Sequence, residues 1–112
     1  MDRLSVLKDL VAFNKSINEL SSMLSQLSWD YDGRPLVVHS SEIKIVLERF
    51  LSGDCSAKEL EDWANLLECR EDLELEEQKF EAIENVIDCL ANPVLQGEIT
   101  TTSCEALLAS LG

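Results

Sequence analysis

Apolar residues recur every three or four positions along most of this chain, which is the spacing of one face of an α-helix. The longest such series lies within residues 3–27 and consists of Val6, Leu10, Phe13, Ile17, Leu20, Leu24 and Leu27. It predicts one long helix over residues 3–27. Two roles are open for that helix: a core helix of an antiparallel bundle, or one half of a dimer-forming coiled coil.

Capping residues mark the starts of two further helices. Ser40 or Ser41 is predicted to cap a helix that ends near Leu51, with Gly53 in the left-handed position just beyond it. Ser56-Ala57-Lys58-Glu59 has the pattern of a capping box and predicts a helix that ends near Arg70. Its apolar face would consist of Leu60, Trp63, Ala64 and Leu67.

A fourth main helix is predicted from about Glu77 to Ala91, closed by Asn92-Pro93. Its inward residues would be Phe80, Ile83, Ile87 and Leu90. Thr102-Ser103-Cys104-Glu105 resembles a second capping box and predicts a short last helix. The fold class predicted for residues 1–112 is therefore a single all-α domain, a compact bundle of four main helices plus a short C-terminal helix.

Two segments between these helices have no helical pattern. Residues 36–38 are apolar and are expected to run extended, but a lone strand has nothing to pair with. Residues 71–77 are rich in acids and are predicted to form a short connector, with Leu73 and Leu75 as apolar anchors.

Catalytic and metal-binding patterns are missing from the sequence. His39 is the only histidine, the four glycines are isolated, and the four cysteines contain no Cys-x-x-Cys pair. We therefore predict a protein that is not an enzyme and has no cofactor or metal. The N-terminus does not resemble a signal peptide, and no apolar run approaches the roughly 20 residues that span a bilayer. The expected location is cytoplasmic, with reduced cysteines and no membrane partner.

The negative charge is concentrated in one third of the chain. The formal net charge is −13, and residues 54–88 hold thirteen of the 22 acids but only three bases. Such a surface repels nucleic-acid phosphates, so direct nucleic-acid binding is not expected. It attracts basic proteins.

Within this third, acids repeat at helical spacing. Residues 77, 81, 84 and 88 would stack along one side of the fourth helix, where like charges destabilise by roughly 0.2–0.5 kcal/mol per pair. A solvated face is one interpretation, but solubility needs a net charge of only about 2–8 on a domain of this size. A binding site for a basic protein is the other, and its predicted contact residues are Glu68, Asp72, Glu74, Glu76, Glu77, Glu81, Glu84 and Asp88.

The loop at residues 28–35 offers a second candidate surface. Trp29 and Tyr31 lie beside Asp-Gly and Arg-Pro turn sequences. Such residues either form a binding patch or fold back over the open end of a bundle.

Residues 50–100 carry a set of short matches to a known group of proteins. This stretch resembles small bacterial immunity proteins of contact-dependent growth inhibition and related polymorphic toxin systems, in Phe50-Leu51-Ser52-Gly53, Ser56, Glu59-Leu60, Trp63-Ala64-Asn65, Leu67-Glu68, Arg70-Glu71-Asp72, Leu90-Ala91-Asn92-Pro93, Gly97 and Ile99-Thr100. The resemblance covers about half the chain and leaves the first predicted helix unmatched.

The resemblance implies a cytosolic antitoxin that binds a nuclease-like toxin domain. The charge of the chain agrees with that role, because nucleases that grip phosphate have basic clefts. The sequence thus predicts an acidic inhibitor, monomeric or weakly dimeric, with a basic protein as its partner. The alternative is a non-catalytic structural or adaptor helical module, which residues 3–27 could join into a homodimer.

Overall fold

The computed structural model describes residues 3–27, 33–68 and 70–112, which form seven helices and one two-stranded sheet. The helices are α1 (Arg3–Ala12), α2 (Ile17–Ser25), α3 (Ser40–Leu51), α4 (Ala57–Leu67), α5 (Phe80–Ala91), α6 (Pro93–Gln96) and α7 (Thr101–Ser110). The strands are β1 (Leu36–Val38) and β2 (Leu73–Leu75), and a 3₁₀ turn at Glu77–Lys79 precedes α5. The mainly all-α class is confirmed, but the predicted count of four main helices is not, since the helices are shorter and more numerous.

The prediction of a single helix over residues 3–27 is wrong, because the chain turns at Phe13. This residue has a left-handed φ of 49°. The Phe13 amide donates to the Leu10 carbonyl at 3.1 Å, and the Asn14 amide donates to the Asp9 carbonyl at 3.3 Å. These two bonds form a Schellman motif, which ends α1.

Polar contacts on both sides of the turn fix it in place. Ser16 caps α2 by accepting a hydrogen bond from the Glu19 amide at 3.2 Å. The Arg49 guanidinium donates to the carbonyls of Ala12 and Phe13, at 3.2 and 2.7 Å. As a result the apolar series of the first 27 residues folds into the monomer's own core, with Val6, Leu10, Phe13, Leu20 and Leu24 buried and Ile17 and Leu27 partly buried.

The two strands pair in parallel, with Leu36 opposite Leu73 and Val38 opposite Leu75. The expectation that residues 36–38 would have nothing to pair with was therefore wrong. So was the interpretation of residues 71–77 as a connector only, since β2 lies within them. Parallel strands need a long crossover, and here α3 and α4 supply it.

The caps of α3 and α4 lie close to the predicted positions. α3 begins after His39 rather than after Ser40 or Ser41, and the Glu42 carboxylate accepts from the His39 amide at 2.9 Å. Gly53, just beyond α3, has the expected positive φ, at 90°. The capping box at Ser56 and Glu59 is confirmed by reciprocal bonds of 3.1 and 2.9 Å.

The core is centred on the face of α4. Leu60, Trp63, Ala64 and Leu67 are all buried as predicted, although α4 ends at Leu67 rather than near Arg70. The Trp63 indole donates to the Leu10 carbonyl at 2.7 Å. Its ring lies nearly parallel to that of Phe13, with centroids 5.9 Å apart. Trp63 therefore joins α4 to the end of α1.

The C-terminal third differs from the prediction in its helix starts. α5 begins at Phe80 rather than near Glu77, and Phe80 is 45% exposed instead of pointing inward. Asn92 does end α5, but Pro93 opens the short α6. The last helix is capped by Thr100, two residues before the predicted Thr102.

Three cysteines, Cys55, Cys89 and Cys104, are free thiols. Cys55 and Cys104 are buried in the core. Burial raises the pKa of Cys104 to about 11, so this thiol stays protonated and unreactive at neutral pH.

Candidate protein-binding groove

An open groove of about 790 Å³ lies between the end of α4, strand β2 and one side of α5. Pro35 and Val38 of the β1 segment complete its lining. The strand pairing positions β2 at this place, because β1 holds residues 73–75 beside the helix that follows them.

Carboxylates dominate the lining of this groove. Six acids contribute to it, namely Glu68, Glu71, Glu74, Glu81, Glu84 and Asp88. Among the described residues, Arg70 is the only cation in the lining, and its guanidinium is already bound to Asp72 at 2.8 and 2.9 Å. A partner that entered the groove would therefore meet a strongly negative field.

The base of the groove is apolar. Val38, Leu67 and Ile87 are buried, and Leu73 and Leu75 are half-buried. Phe80 also lines the groove and keeps 45% of its surface exposed. A partner could thus bury apolar side chains against the base while its charged groups meet the surrounding carboxylates.

Five of the eight predicted contact residues line this groove: Glu68, Glu74, Glu81, Glu84 and Asp88. The acids of the predicted stripe that fall within α5 lie together as expected. Glu77 is exposed, but it belongs to the 3₁₀ turn and is outside the lining. The groove also contains Glu71, which the sequence-based prediction left out of the site.

Asp72 lies outside this groove, and its burial contradicts the prediction that it is a contact residue. Its side chain is 3% exposed and forms ion pairs with Arg3 of α1 and with Arg70. Burial raises the pKa of Asp72, but the hydrogen bonds and charges of Arg70 and Arg3 outweigh it and hold the pKa below its ordinary value. Asp72 is therefore a structural link between the N-terminal helix and the start of β2.

Two other predicted contact residues have structural bonds as well. The Glu76 carboxylate accepts from the amide of Ser40 at 3.0 Å, at the N-terminus of α3 where a negative charge is favourable. The Asp88 carboxylate accepts from the side-chain amides of Asn92 and Gln96, both at 2.9 Å. Of the eight predicted contact residues, four carboxylates that line the groove remain best suited to meet a partner: Glu68, Glu74, Glu81 and Glu84.

The apolar base was not predicted as part of the site. Leu73 and Leu75 alternate with Glu74 and Glu76, which is the period of a half-buried strand and was the available sequence signal. The Trp29 and Tyr31 loop, named as a second candidate surface, lies outside the described residues.

No family model, curated protein sequence or solved structure matches this chain. Among residues 3–27, 33–68 and 70–112, no helix is long and apolar enough to cross a membrane. In the same part of the chain, no three His, Cys, Asp or Glu side chains are placed to share a metal ion.

Proposed function

We propose that this chain is an acidic inhibitor that binds a basic, nuclease-like bacterial toxin domain in the cytoplasm and neutralises it, as an immunity protein does. The observation that carries the proposal is the groove, in which six carboxylates surround an apolar base. The resemblance of residues 50–100 to immunity proteins supports the choice of partner.

The electrostatics favour a basic protein over other ligands. Carboxylates around a groove repel phosphates, and they attract lysine and arginine side chains. Opposite charges raise association rates toward about 10⁸–10⁹ M⁻¹s⁻¹ at low salt, which suits an inhibitor that must act before its target does. The apolar base supplies contact area, which slows dissociation once the partner is bound.

A basic partner would also relieve the repulsion within the groove. Glu81, Glu84 and Asp88 are spaced three and four residues apart along α5. Such like-charge pairs cost roughly 0.2–0.5 kcal/mol each in the free protein. Lysine or arginine side chains between them would convert this repulsion into attraction, so part of the binding free energy is stored in the unbound inhibitor.

Inhibition follows from where a nuclease has its positive charge. A nuclease needs a basic cleft to hold the phosphates of its substrate. An acidic protein bound at that cleft competes with nucleic acid for the same cations. The alternative function, an adaptor that dimerises through residues 3–27, stays a prediction, and the burial of that apolar series inside the monomer gives it no support.

Survival of cells that produce the toxin tests this function. A toxin domain encoded beside the gene for this chain would be produced alone and together with the chain. We expect the parent to restore growth and Glu81→Lys with Glu84→Lys to lose most of the protection, because two groove contacts become repulsive. Both side chains are exposed, so the fold should persist, as circular dichroism would verify.

The matched control is Glu98→Lys with Glu105→Lys, which changes the net charge equally at exposed sites outside the groove. This variant should protect as the parent does. A toxin that the parent leaves active would contradict the immunity function. Equal protection by the parent and the groove variant would show that the groove does not bind the toxin.

A further inference from the structure

Strand β2 has a second edge that the sheet does not use. Leu36 donates to the Asp72 carbonyl and Glu76 donates to the Val38 carbonyl, both at 2.9 Å. With the observed parallel register, these bonds direct the amide and carbonyl of Glu74 toward β1. The amides and carbonyls of the two neighbours, Leu73 and Leu75, consequently point to the opposite edge.

Those outward backbone groups have no hydrogen-bond partner in the described part of the chain. An open edge of this kind can accept an extended segment of another chain as an additional strand.

The residues that form the open edge are among those that line the groove. Leu73, Glu74 and Leu75 all line it, together with Glu81 and Glu84 of α5. An added strand would therefore run through the same space in which the carboxylates are concentrated.

The side chains of β2 indicate which sequence would fit. Leu73 and Leu75 lie on the face that packs against the core, and Glu74 is exposed on the other face. Side chains of paired strands meet on the same face. An added strand would thus place apolar residues beside the two leucines and basic residues beside Glu74.

A second copy of this chain does not satisfy that pattern. Pairing two β2 edges would bring the Glu74 side chains of both copies together on a face that is already strongly negative, and like charges on facing strands destabilise the pair. Charge complementarity selects a basic segment instead.

We propose that the partner docks by adding an extended segment, with alternating basic and apolar residues, to the open edge of β2. The inference rests on the proposed function, in that the segment belongs to the basic partner. Its backbone bonds to Leu73 and Leu75, and its lysine or arginine side chains meet Glu74, Glu81 and Glu84.

Amide hydrogen exchange on the ¹⁵N-labelled protein tests this docking mode. The probe is a synthetic, end-blocked octapeptide of alternating lysine and valine. In the free protein, the Leu73 and Leu75 amides should exchange faster than the amide of Glu74, which is bonded to β1. With saturating probe at low salt, exchange at Leu73 and Leu75 should slow by about tenfold or more.

Two methylated probes provide the control for main-chain bonding. Methylation of the valine amides blocks an antiparallel added strand, and methylation of the lysine amides blocks a parallel one, while the charges are unchanged. We expect one of these probes to bind like the unmodified peptide and the other to bind at least about tenfold more weakly.

The remaining outcomes separate the docking mode from the function. If both methylated probes bind as tightly as the unmodified peptide and do not protect the Leu73 and Leu75 amides, strand addition is wrong. The groove is still the binding site in that case if Glu81→Lys with Glu84→Lys abolishes binding of the peptide. If that variant binds the probe as tightly as the parent protein, the probe binds outside the groove and the docking mode is overturned, while the survival assay still decides the proposed function. If no probe binds, the docking mode is overturned, and the survival assay decides the function independently.

Discussion

Replacement of Trp63 by alanine should lower the free energy of unfolding by about 3–5 kcal/mol. Trp63 is fully buried, donates a hydrogen bond to the Leu10 carbonyl at 2.7 Å, and stacks on Phe13. The alanine variant loses all three contributions and leaves a cavity where α4 meets the end of α1. Urea denaturation followed by circular dichroism would measure the change.

The Trp63→Phe variant separates the contribution of the aromatic ring to stability from that of the indole hydrogen bond. A phenylalanine keeps an aromatic side chain near Phe13 but removes the indole hydrogen bond to the Leu10 carbonyl, which keeps its bond from the Phe13 amide. The expected loss of unfolding free energy is smaller, about 1–3 kcal/mol, from the lost hydrogen bond together with the smaller ring. If the alanine variant lost less than about 1 kcal/mol, the central position assigned to Trp63 would be wrong.

Replacement of Asp72 by alanine should cost about 2–4 kcal/mol, the second largest effect that we expect. The Asp72 carboxylate is buried and is bonded to Arg3 and Arg70. Its removal takes away the carboxylate that both guanidinium groups bind and breaks the link between α1 and the start of β2. The matched control is Glu71→Ala, which removes the same charge from the neighbouring exposed position and should change stability by less than about 0.5 kcal/mol.

The contribution of Asp72 should also depend on pH. Its pKa is held below the ordinary value in the folded protein, so its stabilisation is fully present above the unfolded pKa of about 3.9. This stabilisation is lost as the pH falls through the folded pKa. The difference in unfolding free energy between the parent and Asp72→Ala should therefore narrow below about pH 4. A difference that stayed constant down to pH 2 would show that Asp72 acts through packing alone.

Sequence patterns correctly predicted those features of the fold that depend on interactions between residues close together in the chain. The capping box at Ser56 and the apolar face around Trp63 are confirmed because both depend on residues three or four positions apart. The break at Phe13 was missed because the apolar series continues through it without a change of spacing. Ser16 and Glu19 have the spacing of a cap and were the sequence evidence for a new helix start.

The sheet and the Asp72 link depend on contacts between distant parts of the chain. Leu36 pairs with Leu73, and Arg3 binds Asp72, with no local pattern that joins either pair. For the same reason the density of acids between residues 54 and 88 predicted a strongly acidic region, but it could not separate the buried Asp72 from the exposed Glu74.

The association rate between this chain and the basic toxin domain that we propose as its partner tests the central claim, that the acidic groove is the recognition surface. Stopped-flow fluorescence over about 20–300 mM salt would compare the parent with the groove variant Glu81→Lys with Glu84→Lys and the control Glu98→Lys with Glu105→Lys. We predict that the groove variant associates at least about tenfold more slowly at low salt and with a shallower salt dependence, whereas the control stays within about twofold of the parent. Equal rates for the two variants at every salt concentration would contradict the claim, because the attraction would then come from net charge and not from the groove.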